Sequence, residues 1–574
     1  FEIELKQIIK DFPEIIVTEQ ALQDYVGEVI NRFMDIGLRT FVYDLHVEKE
    51  ALDLSVDLDE KVAFTKYLQA RFDTKEKVSA FFYQYPVLTR LFAETIAFQL
   101  TNFTELLRAL CESKEELTAV FSIEQPLTLT GLKMGAGDSH DRGKSVAILT
   151  MNEQQELVYK PKNLAISERF DRFVKEVKKL DSTFDFYLTT KIVKKAYAFE
   201  ERLHYSACET EAEVAAFYRQ FGQTIALVYL LNGNDFHLEN VLAYGKYPVL
   251  IDLETIIQNH FPMPDSQNAL VKVMQSNGES VVMSGLVPIY LFEERAEDDV
   301  EGASKGIQLS ALSGGEQKLP YKILKLVNFD SVNMQFMYQE HITDAAENIP
   351  LLNGEKVDFV PYIDTIIQGF KEFSAFALAH QQQLADLAEE IFSDCFVRNV
   401  IKTTQSYGDL LDYSTHPSCM VDYIEREKLF ENLWMHGYSD SRPVPYEVRD
   451  MLQHDVPIFF NPTSSRDLVA SQGEVITGMY PDRAIDLEID RLRNYSPHEE
   501  QEQLDYLKTS FGVYHSMDLQ EKSIPLQQAV GRTVFEQGAY AIGAAVLDAA
   551  FLGEESIAWK DIEESSPDNY IVNV

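Results

Sequence analysis

The sequence predicts an α+β chain in which a small strand-rich segment is set between helical regions. Three observations carry this. Residues 1 to about 122 repeat apolar side chains at three- and four-residue intervals, which is helical spacing. Near 125 the pattern changes to short alternating runs parted by polar turns. From 210 onward helical spacing returns and dominates. A chain of 574 residues is too long for one core, so roughly two to four lobes are expected.

The elements follow in order. In the first region "VLTRLFAETIAFQLTNFTELLRAL" is the clearest amphipathic helix, and its Phe and Leu residues read as core. "SVAILT", the turn "MNEQQ" and "ELVYKPK" read as a hairpin. "NLAISERFDRFVKEVKKL" is a helix with Ser167 as an internal cap, and "TTKIVKKAYAFEERL" alternates again. "EAEVAAFYRQFGQTIALVYLL" is a long helix that ends at the turn "NGND". "NVLAYGKYPVLIDLETI" reads as two short strands joined at Gly245-Lys246, with "PVLID" buried. Residues 259 to 360 are rich in loops, including "EERAEDDVEGASKG", where insertions or mobile loops are expected. Helices return at about 362–395, 420–437, 496–511 and 525–550. There is no internal repeat and no low-complexity tract.

Composition bounds the chemistry. The chain is 45% hydrophobic and 25% charged, which is globular, and no apolar run approaches the roughly 18 to 20 residues that span a bilayer. The net charge of -41 excludes broad nucleic-acid binding, which needs a basic footprint. It also requires that any nucleotide be met by a local cluster of cations and a metal. Cys111, Cys208, Cys395 and Cys419 form no C-x-x-C pair and no zinc spacing, so they read as reduced, mostly buried thiols of a cytoplasmic protein. No signal-peptide pattern opens the chain. It begins at Phe1 rather than Met, so its ends read as cuts within a longer protein.

"GAGDSHDRGKS" looks at first like a phosphate-binding loop. That loop needs four residues between Gly and Gly-Lys-Ser, and a helix after it. Here Gly137 and Gly143 enclose Asp138, Ser139, His140, Asp141 and Arg142, and a strand follows. The reading fails on spacing and on context.

The strongest chemical segment is "NGNDFHLENVLAYGKYPVLIDLETI". Asp235, His237 and Asn240 form D-x-H-x-x-N, and Asp252 follows at the end of an apolar strand. Phosphoryl transfer needs a carboxylate to take the attacking hydroxyl's proton. It also needs an amide oxygen and a second carboxylate to hold Mg²⁺ against the phosphates. The Asp235-to-Asn240 spacing and the Asp252 hairpin match a kinase. D-x-H-x-x-N is nearer the lipid-kinase form than H-R-D. Glu254 is a further metal or supporting carboxylate. Lys160 in "LVYKPK" sits on the upstream strand that carries a kinase's phosphate-binding lysine. In this layout "GAGDSHDRGKS" takes the place of the loop over the phosphates. Asp138 and His140 are titratable groups that phosphate transfer alone does not need, so they suggest a second reaction.

Together "GDSHDRGKSV", "LVYKPK", "NDFHLEN", "YPVLIDLET", "VRNVIKTTQSYGDLL", "HPS" and "HDVPIF" make the chain similar to the dehydratase portion of class II (LanM-type) lanthipeptide synthetases, over nearly its whole length. The resemblance implies an α+β, lipid-kinase-like bilobal fold, with a small β-rich N-lobe, a larger helical C-lobe and additional helical regions. It divides the chain into an N-terminal helical region (1–122), a kinase-like N-lobe (123–207), a C-lobe with insertions (208–480) and a C-terminal helical region (481–574) leading toward an absent cyclase domain. It implies ATP- and Mg²⁺-dependent phosphorylation of Ser and Thr in a leader-bearing precursor peptide, then elimination of phosphate to dehydroalanine or dehydrobutyrine. It assigns Asp235, His237, Asn240, Asp252 and Glu254 to phosphorylation. It assigns Asp138, His140, Lys160, Arg398 and Thr404 to elimination.

Arg398 suits bidentate phosphate binding, and Thr404 is expected to donate from the same region of a helix face. Lys160 is a base if its pKa is lowered, or else a phosphate clamp; His140 with Asp138 orients a proton carrier. Sequence does not choose between these roles. The precursor peptide is the expected partner, with its leader held by strand or helix addition near residues 1 to 125 or the small lobe. An export transporter is a further expected partner. Members of the family continue into a zinc cyclase domain. No Cys/His cluster of that kind occurs here, so no zinc is expected in this chain. Two rival readings are a plain lipid- or peptide-kinase-like phosphotransferase without elimination, and a non-catalytic peptide-binding scaffold.

Overall fold

The computed structural model describes residues 1–52, 59–135, 137–259, 278–291, 307–319, 321–435 and 440–512. The helix expected at 525–550 and the "EERAEDDVEGASKG" stretch lie outside the described residues.

Strands β1 (Ile15–Val17), β2 (Leu127–Lys133), β3 (Ala147–Met151), β4 (Gln155–Lys160), β5 (Lys191–Val193) and β6 (Ala198–Glu201) form one sheet in the order β1-β2-β3-β4-β6-β5. β1 runs parallel to β2, and the other pairs are antiparallel. The β3–β4 hairpin turns at Asn152 and Glu153, both left-handed, and Asn152 anchors the turn by accepting from the Thr128 amide. The N-terminal region is thus not wholly helical: Ile15–Val17 adds the sheet's edge. Period-2 alternation buries Leu127, Leu129, Ala147, Leu149 and Met151 against Leu22, Tyr25, Leu106 and Leu110 of the Glu19–Ala51 and Pro86–Glu112 helices.

The Ala165–Leu180 helix begins with Asn163 accepting from the Ala165 amide. Ser167 is therefore not its cap. It lies inside the helix and accepts from Lys191 Nζ.

A second core joins the Glu211–Leu230 and Ile363–Phe392 helices to the Ala165–Leu180 and Ala484–Asn494 helices. The two long helices touch backbone to backbone. A Cβ on Gly222 would lie 1.9 Å from the Ile366 carbonyl oxygen, and one on Gly369 would lie 1.9 Å from that of Arg219. Only glycine fits at either point.

After the Glu211–Leu230 helix come β7 (Val241–Tyr244) and β8 (Tyr247–Leu250), a hairpin turning at Gly245, which is left-handed. The described part of 278–360 carries only short pieces: β9 (Tyr290–Leu291), β10 (Ile307–Gln308), β11 (Ile323–Val327), β12 (Gln335–Gln339), β13 (Leu351–Leu352) and β14 (Glu355–Lys356). A four-stranded antiparallel sheet then follows, made of β15 (Phe396–Asn399), β16 (Phe459–Pro462), β17 (Leu468–Ala470) and β18 (Val475–Ile476). Sequence analysis does not anticipate this sheet. It also separates Arg398 from Thr404: Arg398 lies on β15, and Thr404 opens the Thr404–Tyr413 helix. The two do not share a helix face.

All four cysteines are free thiols. Among the described residues, no helix is long and apolar enough to cross a membrane.

Candidate active site

Two cavities meet at Val146, next to the end of β4. The larger, about 570 Å³, is lined by Val146, by Ile148 and Val158 of the six-stranded sheet, and by Lys160, Asn240 and Asp252. The second, about 380 Å³, is lined by Asp138, His140, Lys162 and residues of the four-stranded sheet.

In the larger cavity Lys160 is buried at the end of β4. Its Nζ donates to the Ile251 carbonyl at 2.7 Å and pairs with Glu200 Oε2 at 2.9 Å. Glu200 lies on the neighbouring strand β6, where register sets it opposite Val158. Burial works against the Lys160 charge, but Glu200 and Asp252 outweigh it and push the ammonium up to about 12. This direction is opposite to the lowered pKa that a lysine base requires. Glu200 is held down to about 2: burial raises it, but Lys160 and Lys191 win.

The loop after the Glu211–Leu230 helix carries Asp235, whose backbone is left-handed at φ 65°. Asn240 fixes this loop. Its Nδ2 donates to the Asp235 carbonyl at 2.6 Å, its backbone N–H donates to the His237 carbonyl, and its own carbonyl accepts from the Ile251 amide. The amide orientation leaves Oδ1 as the outward acceptor. His237 Nδ1 accepts from the Glu239 amide at 3.3 Å, and its Nε2 is 4.0 Å from an Asp235 oxygen. Burial raises the Asp235 carboxyl, with Asp252 and Glu254 pushing the same way; His237 and Arg398 oppose it.

Asn240 and Asp252 supply hard oxygen donors to one cavity, the donor type Mg²⁺ takes alongside phosphate oxygens. They fit such an ion. Glu254 fits less well, because both of its oxygens are engaged. Oε1 accepts from Arg398 Nη1 at 2.6 Å, and Oε2 pairs with Lys162 Nζ at 2.5 Å. Burial would raise its pKa, but these two cations hold it well below the usual carboxylate range.

Arg398 reaches this point from β15. Its backbone N–H donates to the Glu254 carbonyl, and its own carbonyl accepts from Gln258 Nε2. Lys162 also lies 3.7 Å from Asp252. The chain Asp252–Lys162–Glu254–Arg398 therefore links the two cavities.

In the second cavity His140 Nδ1 lies 2.8 Å from the Val456 carbonyl, so this nitrogen carries the proton and Nε2 is the open one. Burial, with the Arg398 and Lys162 cations nearby, pushes the imidazole down to about 3. Its partner is Val456 and not Asp138, which is exposed on the same loop. The loop is clamped by Asp455, which accepts from the Gly143 amide at 2.8 Å and from Ser139 Oγ at 2.7 Å. Arg32 of the Glu19–Ala51 helix donates to the Gly143 carbonyl and lies 3.4 Å from Asp455. "HDVPIF" thus seats the loop, and His416 of "HPS" caps the Pro417–Val421 helix. Thr404 is half-buried, and among the described residues no hydrogen bond joins its hydroxyl to Arg398, Lys162 or Glu254.

Sequence analysis overlooks Lys162, Glu200 and Asp455. "LVYKPK" shows Lys162 plainly, two residues beyond the lysine chosen. Asp455 lies within "HDVPIF", but nothing in that motif shows what it holds, and Glu200 carries no local signal; each matters through a strand or loop that meets it in space.

A family model described as a domain of unknown function (DUF4135) matches residues 85–461, a span that contains every site residue named above except Arg32. The chain is also similar to the lacticin 481/lactococcin biosynthesis protein LcnDR2 of Lactococcus lactis subsp. lactis. The two are 27% identical over 326 residues, which is 54% of this chain and 33% of that protein's length.

Proposed function

This chain belongs to the DUF4135 family, and we propose that it is the dehydrating part of a lanthipeptide synthetase, within that class of the kind of the cytolysin synthetase. It phosphorylates Ser and Thr of a leader-bearing precursor peptide with ATP and Mg²⁺ and then eliminates the phosphate. The biosynthetic role printed for the Lactococcus relative supports the peptide-modifying part of this reading. The lipid-kinase-like, two-lobed arrangement belongs to the same proposal. It is supported by Lys160, Asn240 and Asp252 lining one cavity, with Asp235 held beside it by the Asn240 side chain. Free cysteines support a cytoplasmic setting.

The observation that carries the two-step reading is the Lys162–Glu254–Arg398 network between the cavities. In the first step Asp235, with its raised carboxyl, takes the proton of the attacking hydroxyl. Lys160, held by Glu200, faces the phosphates. Asn240 Oδ1 and Asp252 would hold Mg²⁺, which when bound neutralises charge on the transferring phosphate. In the second step a base, for which the open His140 Nε2 is the acceptor at hand, takes the α-proton of the phosphoserine; the Cα=Cβ double bond forms as the Cβ–O bond breaks and phosphate leaves. Arg398 and Lys162 accept the leaving charge, and the raised pKa of Lys160 favours a clamp over a base. His140 presents Nε2 from the loop seated on Val456.

The test is mass spectrometry of a leader-bearing Ser/Thr peptide after incubation with ATP and Mg²⁺. Wild type is expected to give loss of about 18 Da per site, and Arg398→Ala gain of about 80 Da. A lasting gain of about 80 Da in wild type would reduce the protein to a kinase without elimination.

A further inference from the structure

The cavity that holds His140 has a wall that the proposed chemistry does not use. Burial alternates strictly along the strands that build it. Val397, Asn399, Phe459, Asn461, Leu468 and Ala470 point inward and are buried. Phe396, Arg398, Phe460 and Val469 occupy the opposite face. Register sets Arg398 opposite Phe460, and Phe460 opposite Val469, so the three form one row across β15, β16 and β17. Phe396 precedes Arg398 by two residues on the same face and is 43% exposed, although it is large and apolar. Phe396, Phe460 and Val469 line the cavity together with Ile458. Its charged and polar lining includes Asp138, His140, Asp141, Lys144, Lys162 and Lys195. Arg398, paired with Glu254, therefore stands at one end of an apolar row that lines a cavity of about 380 Å³.

We propose that this apolar row is a specificity subsite for the peptide residue flanking the phosphorylated Ser or Thr, and that it takes a large aliphatic or aromatic side chain there. The proposal rests on the function given above and deepens it. The occupant follows from the geometry. A phosphate paired with Arg398 and Lys162 brings the peptide backbone to the rim. Adjacent strands are about 4.8 Å apart and extended residues advance about 3.3 Å each. A side chain close in sequence to the phosphorylated residue is therefore within reach of Phe460 and Val469. The row itself (Phe396, Phe460 and Val469) offers that side chain no charged group, the cavity's charges coming from other segments, so an acidic or basic neighbour gains nothing from the row. An aliphatic one buries surface on both sides.

Short capped peptides test this. Each carries a non-eliminable phosphonate analogue of phosphoserine flanked by leucine, glycine or glutamate. Binding is read by fluorescence anisotropy, and phosphate release is read on the matching phosphoserine peptides. The leucine peptide is expected to bind about tenfold more tightly than the glycine peptide, the ratio one buried leucine supplies. Val469→Thr, which keeps side-chain shape, and Phe396→Ser, at an exposed position, are each expected to pull that ratio toward unity. Equal binding of the leucine and glycine peptides by wild type overturns the subsite. So does a ratio that survives both substitutions. Leucine-selective binding without phosphate release from any phosphoserine peptide leaves the subsite standing and sinks the elimination step instead.

Discussion

Replacing Glu254 by glutamine separates two roles for a carboxylate that sequence alone reads as a metal ligand. Both oxygens are spent on cations, at 2.6 Å to Arg398 and 2.5 Å to Lys162, and the residue is 4% exposed. At an effective dielectric of about 20, each pair at this separation is worth about 6 kcal/mol of Coulomb attraction before desolvation. Burial of the ions offsets much of that, and removing one partner of such a pair costs about 3–5 kcal/mol net. Glu254→Gln leaves two cations facing a neutral amide. Asp252, 3.7 Å from Lys162, relieves part of this, so the lower end, about 3 kcal/mol, is expected.

The assay is urea unfolding in EDTA without nucleotide, followed by circular dichroism. The midpoint of the transition containing this region should fall by about 1 M. The pH dependence has a definite sign. The folded carboxyl is held below its ordinary value of about 4.3, so its contribution is complete above that value and disappears as pH falls through the lower folded one. The gap between wild type and variant should be constant from about pH 6 to 8 and close in acid. A variant within about 0.5 kcal/mol of wild type in EDTA, but no longer stabilised by Mg²⁺ with ATP, would show that Glu254 holds the metal and that the cation-holding argument is wrong.

Three further expectations follow from the same geometry. Lys160 is pushed up to about 12, above the unfolded value of about 10.4, so its contribution to stability is full below that value and is lost as pH rises through 12. A limb in the phosphate-release profile between pH 7 and 9 that Lys160→Arg removes would contradict the clamp role. Gly222→Ala drives a Cβ onto the Ile366 carbonyl and should cost about 3 kcal/mol or more, read as a lower urea midpoint. Asp455→Ala frees the Gly143 amide and the Ser139 hydroxyl. Hydrogen exchange at Gly143 should quicken at least about tenfold, while phosphorylated peptide accumulates because the His140 loop is no longer seated.

The local elements were legible where one periodicity ruled a long enough window. "SVAILT" and "ELVYKPK" alternate and pair as β3 and β4; the long apolar stretch after Glu211 is a helix buried almost all round. The four-stranded sheet was not legible. Its strands are two to four residues long, and β15 and β16 are separated by more than fifty residues of helix and loop, so no local window contains a pair. Ser167 misled because a serine near a helix start resembles a cap, whereas its hydroxyl is turned to Lys191 by the packing of β5 on that helix.

The site divides in the same way. Residue type and spacing singled out Lys160, Asp235, Asn240 and Asp252, because the β3–β4 hairpin carries the first, and one helix, one turn and the β7–β8 hairpin carry the other three. Sequence also marked Asp138, His140 and Arg398 as reactive, but not what each would touch. Contacts from distant segments decided that. Val456 sets the His140 tautomer, Glu200 pairs with Lys160, and Lys162 and Arg398 each pair with one Glu254 oxygen. The physical reason is that a side chain's identity and local spacing travel with the chain, while its protonation and partners depend on burial and on charges that only the folded structure brings within a few ångströms.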